Sequence, residues 1–367
     1  MPRSCPSAIP SRPPWSCCSP SSTAEAAAGL VYPTPAGPRG MTANTPAAVT
    51  LANFRRAETD LYLRKFVENG AFGQFLHVPY LTSIEKQDVV RMNRDALYSY
   101  AVADLSLGPV TVTLPEAGGR FMALQVIDQD HYTPAVVYTP GSHCFSLADV
   151  GTRYALLLVR TFVDPGSEAD FALAHALQAQ VLLQQPRGAD FVIPAWDTLA
   201  TGRIRAALND LAAAAGGMDS AQMFGARGEV DDVQHLIGTA LGWGGNPARD
   251  AFYVNVHPPG NDGVTPHVLR VHEVPVDGFW SISVYNREGY FEKNDRDAYS
   301  INNVSAQCDD DGGVTVYFGG CEQAPGNCLP ITPGWNYVVR LYRPRAQVLD
   351  GRWVFPTARP VKQGVRA

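Results

Sequence analysis

The sequence has few charged residues and no long apolar run. Only 17% of its 367 residues are charged, and the formal net charge at pH 7 is −6. Because Lys and Arg are not in excess and form no dense basic run, the composition argues against nucleic-acid binding. No stretch of about 20 uninterrupted apolar residues is present, so we expect no membrane-spanning helix. We therefore expect a soluble protein whose partners are a small-molecule substrate or other copies of the chain in a homo-oligomer.

Motifs for cofactors and metals are missing as well. No GxGxxG or Walker-type loop follows a predicted strand, which argues against a nucleotide cofactor. The cysteines form no CxxC or Cys/His zinc spacing. We therefore predict neither a cofactor nor a metal site, and we keep a divalent cation held by Asp and His side chains as the alternative.

Two cysteines, Cys321 and Cys328, bracket a turn-rich loop with the sequence EQAPGN. Such a loop brings two thiols within disulfide range if the compartment is oxidising. In the cytoplasm the two thiols would instead stay reduced and buried. We expect a cytoplasmic protein, or an exported one if the pair forms a disulfide.

The N-terminal segment, residues 1–45, differs from the rest of the chain. Pro, Ser and Ala dominate it, and it contains no apolar run of signal-peptide length. We predict that the segment is disordered. It is either an upstream extension, with translation beginning at Met41, or a targeting or linker peptide.

Two stretches of the chain follow one strand pattern. GRFMALQVID at 119–128 and DGFWSISVYN at 277–286 share F-x4-V-x-[D/N]. Downstream of each, YALLLVR and YVVRLYR share Y-x5-R, which matches Arg160 with Arg343. Two patterns in the same order, twice, predict two related β modules.

Strand patterns dominate both halves of the chain, and helical patterns separate them. Short alternating strands after residue 245 are typical of an antiparallel sandwich or jelly roll. The predicted fold class is α+β, mainly β, with two related antiparallel modules joined by a helical block and the second module like a jelly roll. The expected divisions are the extension at 1–45, the first module with a leading helix at 46–165, the helical connector at 166–245 and the second module at 246–362.

Four stretches carry a family resemblance: RMNRDALYS at 91–99, QVIDQDHYTP at 125–134, VPVDGFWSISVYNREGYF at 274–291 and PGWNYVVRLYRPR at 333–345. They resemble bacterial proteins that carry two domains of unknown function in tandem, the families numbered 1254 and 1214. The resemblance covers the chain from about residue 50 to residue 360. It implies a β-rich fold with a jelly-roll-like second domain, and it implies no reaction.

The densest group of reactive side chains follows the first matched strand. Asp128, Asp130, His131 and Tyr132 lie where that strand ends and a turn begins. A carboxylate beside an imidazole fixes its tautomer and raises its pKa, so His131 is a candidate general acid or base that Asp130 or Asp128 orients. Tyr132 is a candidate donor to an oxyanion. The alternative is structural: the aspartates cap the turn and His131 fills a hydrogen-bonded niche.

A second group, Arg91, Asn93 and Arg94, precedes a predicted strand. One of the two arginines is a candidate for binding a carboxylate or phosphate of the substrate. An internal salt bridge with Asp95 is the alternative role.

A third group lies on the second matched strand. Ser281, Ser283 and Tyr285 share one face of an alternating strand, and the opposite face, with Trp280 and Ile282, is predicted core. The Ser–Ser–Tyr face is a candidate wall of a polar, substrate-binding cavity.

The leading hypothesis is an enzyme that carries out hydrolytic or eliminative acid–base chemistry on a small polar or carbohydrate-like substrate. The alternative is a non-catalytic β-sandwich that binds a glycan or assembles with copies of itself.

Overall fold

The computed structural model describes residues 46–87, 90–186, 190–215 and 218–361. The predicted disordered extension, with Met41, lies outside the described residues. Within these ranges the chain is α+β, and almost all neighbouring strands pair antiparallel. The predicted α+β class is confirmed, and the jelly-roll-like form of the second module stays a prediction. None of the helices in these ranges is long and apolar enough to cross a membrane.

The described helices are α1 (Phe54–Glu68), α2 (Leu147–Val150), α3 (Glu168–Gln178), α4 (Thr198–Ala214), α5 (Ser220–Met223), α6 (Asp232–Leu241) and α7 (Ala346–Leu349). The strands of the first module are β1 (Leu76–Val78), β2 (Ala96–Asp104), β3 (Val110–Leu114), β4 (Met122–Asp128), β5 (Ala135–Val137), β6 (Gly141–Phe145), β7 (Tyr154–Phe162) and β8 (Leu182–Gln184). The strands of the second are β9 (Ala251–Val256), β10 (His267–Val271), β11 (Trp280–Tyr285), β12 (Ser300–Asn302), β13 (Val314–Phe318), β14 (Cys328–Leu329), β15 (Asn336–Tyr342) and β16 (Arg359–Pro360).

The first module packs a five-stranded sheet, in the order β1-β2-β7-β4-β5, against a three-stranded sheet, β6-β3-β8. Strand β7 is buried along its whole length. One of its faces, with Leu157 and Val159, contributes to the core between the two sheets. The other, with Leu156 and Leu158, packs with Leu63 of α1. Coverage on both faces explains the continuous apolar run in this strand.

The second module has two four-stranded sheets, β12-β11-β15-β9 and β14-β13-β10-β16. Its core contains side chains from both sheets, among them Ile282, Val316, Trp335 and Val339. Trp280 and Ile282 belong to this core, as their positions on an alternating strand predict.

The two modules repeat one strand topology. The neighbours β2-β7-β4-β5 in the first module correspond to β9-β15-β11-β12 in the second, and β6-β3-β8 correspond to β13-β10-β16. Each set of corresponding strands also occurs in the same order along the chain. The repeated sequence pattern therefore corresponds to a repeated arrangement of strands.

The strand register corrects one of the predicted matches. Arg160 pairs with Ala123, two positions after the Phe of the shared pattern, and Arg340 pairs with Ser281, two positions after the corresponding Phe. Arg160 therefore corresponds to Arg340. The predicted match with Arg343 is wrong by three residues, because YVVRLYR contains two arginines and only the pairing of β11 with β15 distinguishes them.

The helical block also differs in one detail from the expected pattern. Leu182–Gln184, within a segment that reads as helical, forms strand β8 and pairs with β3 of the first module. It covers one edge of β3, which would otherwise expose unpaired backbone groups. The predicted helices before and after β8 are present as α3 and α4. Asp197 caps α4, because its side chain accepts from the Ala200 N–H at 3.0 Å.

Cys321 and Cys328 form a disulfide, with Cα atoms 5.5 Å apart. The pair closes the predicted EQAPGN loop beside β14. It is compatible with either a cytoplasmic or an exported protein.

Candidate functional site

Two buried arginines occupy equivalent positions in the two modules. Arg160 on β7 is 6% exposed and Arg340 on β15 is 3% exposed. A tyrosine lies directly opposite each of them on a neighbouring strand, Tyr98 on β2 and Tyr253 on β9. The repeated topology thus produces the same cross-strand Tyr–Arg pair twice.

One side chain joins the two Tyr–Arg pairs. The Asn246 Oδ1 atom accepts from Arg160 Nη1 at 3.3 Å, and Asn246 Nδ2 donates to Tyr253 Oη at 3.0 Å. Both pairs therefore lie next to Asn246. We call Tyr98, Arg160, Tyr253, Arg340 and Asn246 the paired-arginine site.

Uncharged groups hold the Arg160 guanidinium. Its Nη1 atom donates to Gln125 Oε1 at 2.6 Å, and its Nη2 atom donates to the Gly244 carbonyl at 3.0 Å. Its Cζ atom lies 5.8 Å from the centre of the Tyr98 ring. These contacts fix the orientation of the guanidinium without neutralising its charge.

The Arg340 guanidinium is held in the same way. Its Nη1 atom donates to Ser283 Oγ at 2.9 Å, and its Nη2 atom donates to Tyr285 Oη at 2.7 Å and to the Arg91 carbonyl at 2.8 Å. The Tyr285 hydroxyl in turn donates to the Met92 carbonyl at 2.7 Å. All of these partners are uncharged groups.

The positive charge of the site has no direct counterion in the described part of the chain. The arginines that form ion pairs there do not include Arg160 or Arg340. Asp95 is the carboxyl group that acts on Arg340 from a longer distance, and complete burial raises its pKa. A buried charge without a close counterion costs several kcal/mol.

Tyrosine hydroxyls complete the polar surface. Burial raises the pKa of Tyr98 and of Tyr342 above the ordinary range, so both hydroxyls stay protonated and able to donate. Asn93 Nδ2 donates to Tyr342 Oη at 2.6 Å. Tyr342 lies two residues from Arg340 on β15 and therefore shares its face of the sheet.

Open space lies beside Gly244, whose carbonyl accepts from Arg160. A Cβ atom built on Gly244 would meet no atom within 4 Å. Tyr98 and the neighbouring Trp243 are only partly buried, although both pack against fully buried core residues. Tyr98 and Trp243 therefore keep some accessible surface.

His131 lies behind the Arg160 side of the site and is only 2% exposed. Its Nε2 atom accepts from the Gly244 N–H at 2.8 Å, and its Nδ1–H donates to Thr239 Oγ1 at 3.0 Å. The hydroxyl hydrogen of Thr239 is used on the His235 carbonyl, which assigns the Nδ1–H tautomer. Burial lowers the pKa of His131 well below its ordinary value. This is the hydrogen-bonded niche of the structural alternative, and neither ring nitrogen is free for a substrate.

The aspartates beside His131 bind other groups. Asp128 Oδ1 accepts from the N–H groups of Asp130 and Tyr132 at 2.8 and 2.9 Å, so it caps the turn. Asp130 forms a bidentate ion pair with Arg56, with both contacts at 2.9 Å. Tyr132 is 5% exposed. The structure thus does not place either carboxylate in hydrogen-bond contact with the imidazole. In the described ranges, no group of three or more His, Cys, Asp or Glu side chains is placed to hold a metal ion.

Most of the predicted substrate-binding residues do come together, around Arg340. Arg91 supplies a carbonyl, Ser283 and Tyr285 supply hydroxyls, and Ser281 lies opposite Arg340 in the strand pairing. Asn93 joins the same region through Tyr342.

Arg94 lies on a different side of the interface between the modules. Its Cζ atom is 5.2 Å from the centre of the Tyr299 ring, and it donates to the Thr82 carbonyl. Arg94, Thr82 and Tyr299 line a separate pocket of about 580 Å³, together with residues of the loop at 293–297. Arg94 therefore does not reach the paired-arginine site.

The residues that define this site were not among the predicted site residues. An arginine within an otherwise apolar, continuous strand is a signal that can be read from sequence, since Arg is almost never fully buried without a reason. Arg160 and Arg340 both fit that description, whereas Tyr253 and Asn246 show no such signal.

Two family models match the chain: "Protein of unknown function (DUF1254)" over residues 72–144, and "Protein of unknown function (DUF1214)" over residues 260–346. No curated protein matches it. Among solved structures, the VPA0106 protein from Vibrio parahaemolyticus is 18% identical, with 85% of this chain and 98% of that chain covered and a TM-score of 0.66. An uncharacterized protein from Burkholderia cenocepacia is 17% identical, with 85% and 87% covered and a TM-score of 0.48. The first similarity shows a shared fold, and the chain carries the two domains of unknown function, 1254 and then 1214, in tandem.

Proposed function

We propose that the protein binds a small organic anion at the paired-arginine site. The observation that carries this proposal is the presence of two buried guanidinium groups, Arg160 and Arg340, with only uncharged hydrogen-bond partners. An anionic ligand would supply the missing negative charge. A carboxylate suits this role because the planar guanidinium matches its two oxygens.

The neutral hydroxyls of the site would act with the arginines. Tyr98 and Tyr342 stay protonated because burial raises their pKa, so each can donate a hydrogen bond to the anion. This arrangement supports orientation of the ligand as well as charge compensation.

Turnover of the bound anion is the second candidate function. A hydrolytic or eliminative reaction needs a proton donor at the reacting group, and the Tyr98 hydroxyl beside Arg160 is the donor that this geometry favours. The acid–base role of His131, with Asp130 or Asp128 and Tyr132, is less favoured, because both imidazole nitrogens are already hydrogen-bonded. Incubation of the anion that binds, followed by mass spectrometry of the products, tests turnover with Tyr98→Phe as the inactive comparison.

The glycan-binding alternative has little support at Tyr285. A glycan-binding surface needs an aromatic ring with an open face, and Tyr285 is 1% exposed with its hydroxyl bonded inside the protein. Self-assembly remains a separate hypothesis. Light scattering over a range of protein concentrations would measure it directly.

The decisive experiment measures anion binding by calorimetry with a panel of mono- and dicarboxylates, phosphate and sulfate. Arg160→Lys and Arg340→Lys keep the charge but lose the planar fork, and each should weaken binding by about tenfold to a hundredfold. Arg343→Lys is the matched control, because Arg343 lies three residues from Arg340 and is exposed. The proposal fails if no anion of the panel binds, or if the three variants weaken binding equally.

A further inference from the structure

A row of aromatic side chains begins at Arg160. The Tyr98 ring lies under its guanidinium, and the rings of Tyr98 and Tyr100 are nearly parallel, with centres 5.9 Å apart. The Tyr100 ring stacks on Phe66 of α1 at 4.7 Å, and Phe66 contacts Trp243 at 6.1 Å. Four aromatic residues from two elements and one loop thus follow one another without an intervening polar side chain.

The row returns to Arg160 at its other end. Trp243 immediately precedes Gly244, whose carbonyl accepts from Arg160 Nη2 at 3.0 Å. The Arg160 guanidinium, the four aromatic rings and the Gly244 backbone therefore form a closed circuit. The open space at Gly244 adjoins this circuit.

The aromatic residues of the circuit have accessible surface left. Tyr98, Tyr100, Phe66 and Trp243 are all partly buried, although they pack against a cluster of fully buried side chains. Trp243 is held in place by the Tyr62 ring, which stacks on it at 4.2 Å with an angle of 9° between the planes. The circuit is therefore a fixed aromatic surface next to a buried positive charge.

Building on the anion-binding function proposed above, we infer that the ligand is an aromatic carboxylate. Its carboxylate binds at Arg160, and its ring contacts the accessible edges of the aromatic circuit. Aromatic rings attract one another through offset and edge-to-face contacts beyond the area that they bury, so the circuit favours a planar ring over an aliphatic group of equal size. A guanidinium at one end of an otherwise apolar surface fixes the direction of such a ligand.

Benzoate and cyclohexanecarboxylate are the probes for this inference, because they carry the same charge on six-membered rings and differ in aromaticity. Calorimetry with the full-length protein should give benzoate an affinity about tenfold higher than that of cyclohexanecarboxylate, with acetate weaker than both. Phe66→Leu keeps the apolar character of the circuit but removes one ring. It should reduce this preference to a few-fold.

The outcomes separate the inference from the function on which it rests. Equal affinities for benzoate and cyclohexanecarboxylate would overturn the aromatic preference and leave the anion-binding proposal intact. Binding of phosphate or a dicarboxylate without binding of benzoate would have the same meaning. If no anion binds, both proposals are overturned. The comparison of ligands on the unmodified protein does not depend on whether the Phe66 variant folds.

Discussion

Replacing Asp128 by Asn should change how the stability of the protein depends on pH. The Asp128 side chain is 2% exposed, and burial raises its pKa from 3.8 to about 7. Between these two values the unfolded chain releases a proton that the folded protein retains, so the free energy of unfolding falls as the pH rises. The difference corresponds to about 4 kcal/mol in total, since one pH unit is worth about 1.4 kcal/mol.

Asparagine is a suitable replacement because it removes the titration and retains the turn. Its Oδ1 atom can still accept from the N–H groups of Asp130 and Tyr132, as Asp128 does. Asparagine loses the ion pair of Asp128 with Arg227 at 3.6 Å. This ion pair contributes little to the free energy of unfolding, because Arg227 is 61% exposed. The change with pH is therefore more informative than the stability at any single pH.

Urea unfolding of both proteins at intervals from about pH 5 to about pH 8 measures this effect. The Asp128→Asn variant should gain about 2 to 3 kcal/mol relative to the unmodified protein over that range, because about two pH units lie between 5 and the pKa. Asp104→Asn is the control. Although burial alone would raise the pKa of Asp104, hydrogen bonds from Arg153 and Ser106 lower it, so its titration lies below this range. A constant difference between the Asp128→Asn variant and the unmodified protein would refute the reasoning.

Two further predictions concern stability. Replacing both Cys321 and Cys328 by Ser should lower the free energy of unfolding by about 2 to 3 kcal/mol, because the unfolded chain regains the freedom of a loop of roughly seven residues. Urea unfolding under non-reducing conditions measures this loss, and an unchanged urea midpoint would contradict the prediction. Arg205→Ala should cost about 3 kcal/mol, because it leaves the Glu58 carboxylate, 1% exposed, buried without its bidentate partner. Arg205→Lys should recover part of that loss in the same assay, and equal effects of Ala and Lys would count against the ion pair.

The repeated architecture could be predicted from the sequence because its signals are local. Alternation along 119–128 and 277–286, and the turn residues around these segments, report strand character without any knowledge of the partner strands. The order of the patterns along the chain then predicts two related modules. The structure extends this to the complete sheet order.

The choice between Arg340 and Arg343 could not be made locally. Both lie in the same short segment, and spacing alone fits either one. Arg340 is buried because β15 is an interior strand and its face carrying Arg340 is covered by the first module, whereas Arg343 follows the end of the strand and is exposed. Burial here depends on contacts between residues far apart in sequence.

The cluster at Asp128–Tyr132 shows why neighbours in sequence need not act together. His131 has a positive φ of 70°, which is uncommon for a residue with a side chain, and its ring is directed inward to Thr239 and Gly244. Asp130 instead binds Arg56. The sharp turn separates side chains that are adjacent along the chain, and only the backbone conformation reveals this.

The proposed anion-binding function offers an explanation for the burial of both arginines. A buried cation without a close counterion destabilises a protein, and an apolar residue of similar size at the same position would often be more stable. Arg160 and Arg340 nevertheless occupy the same position in both copies of the topology. Their tyrosine partners and the bridging Asn246 come from both halves and from the segment between them. Because the parts are complete only when the modules are joined, we expect the tandem arrangement itself to be what the ligand requires.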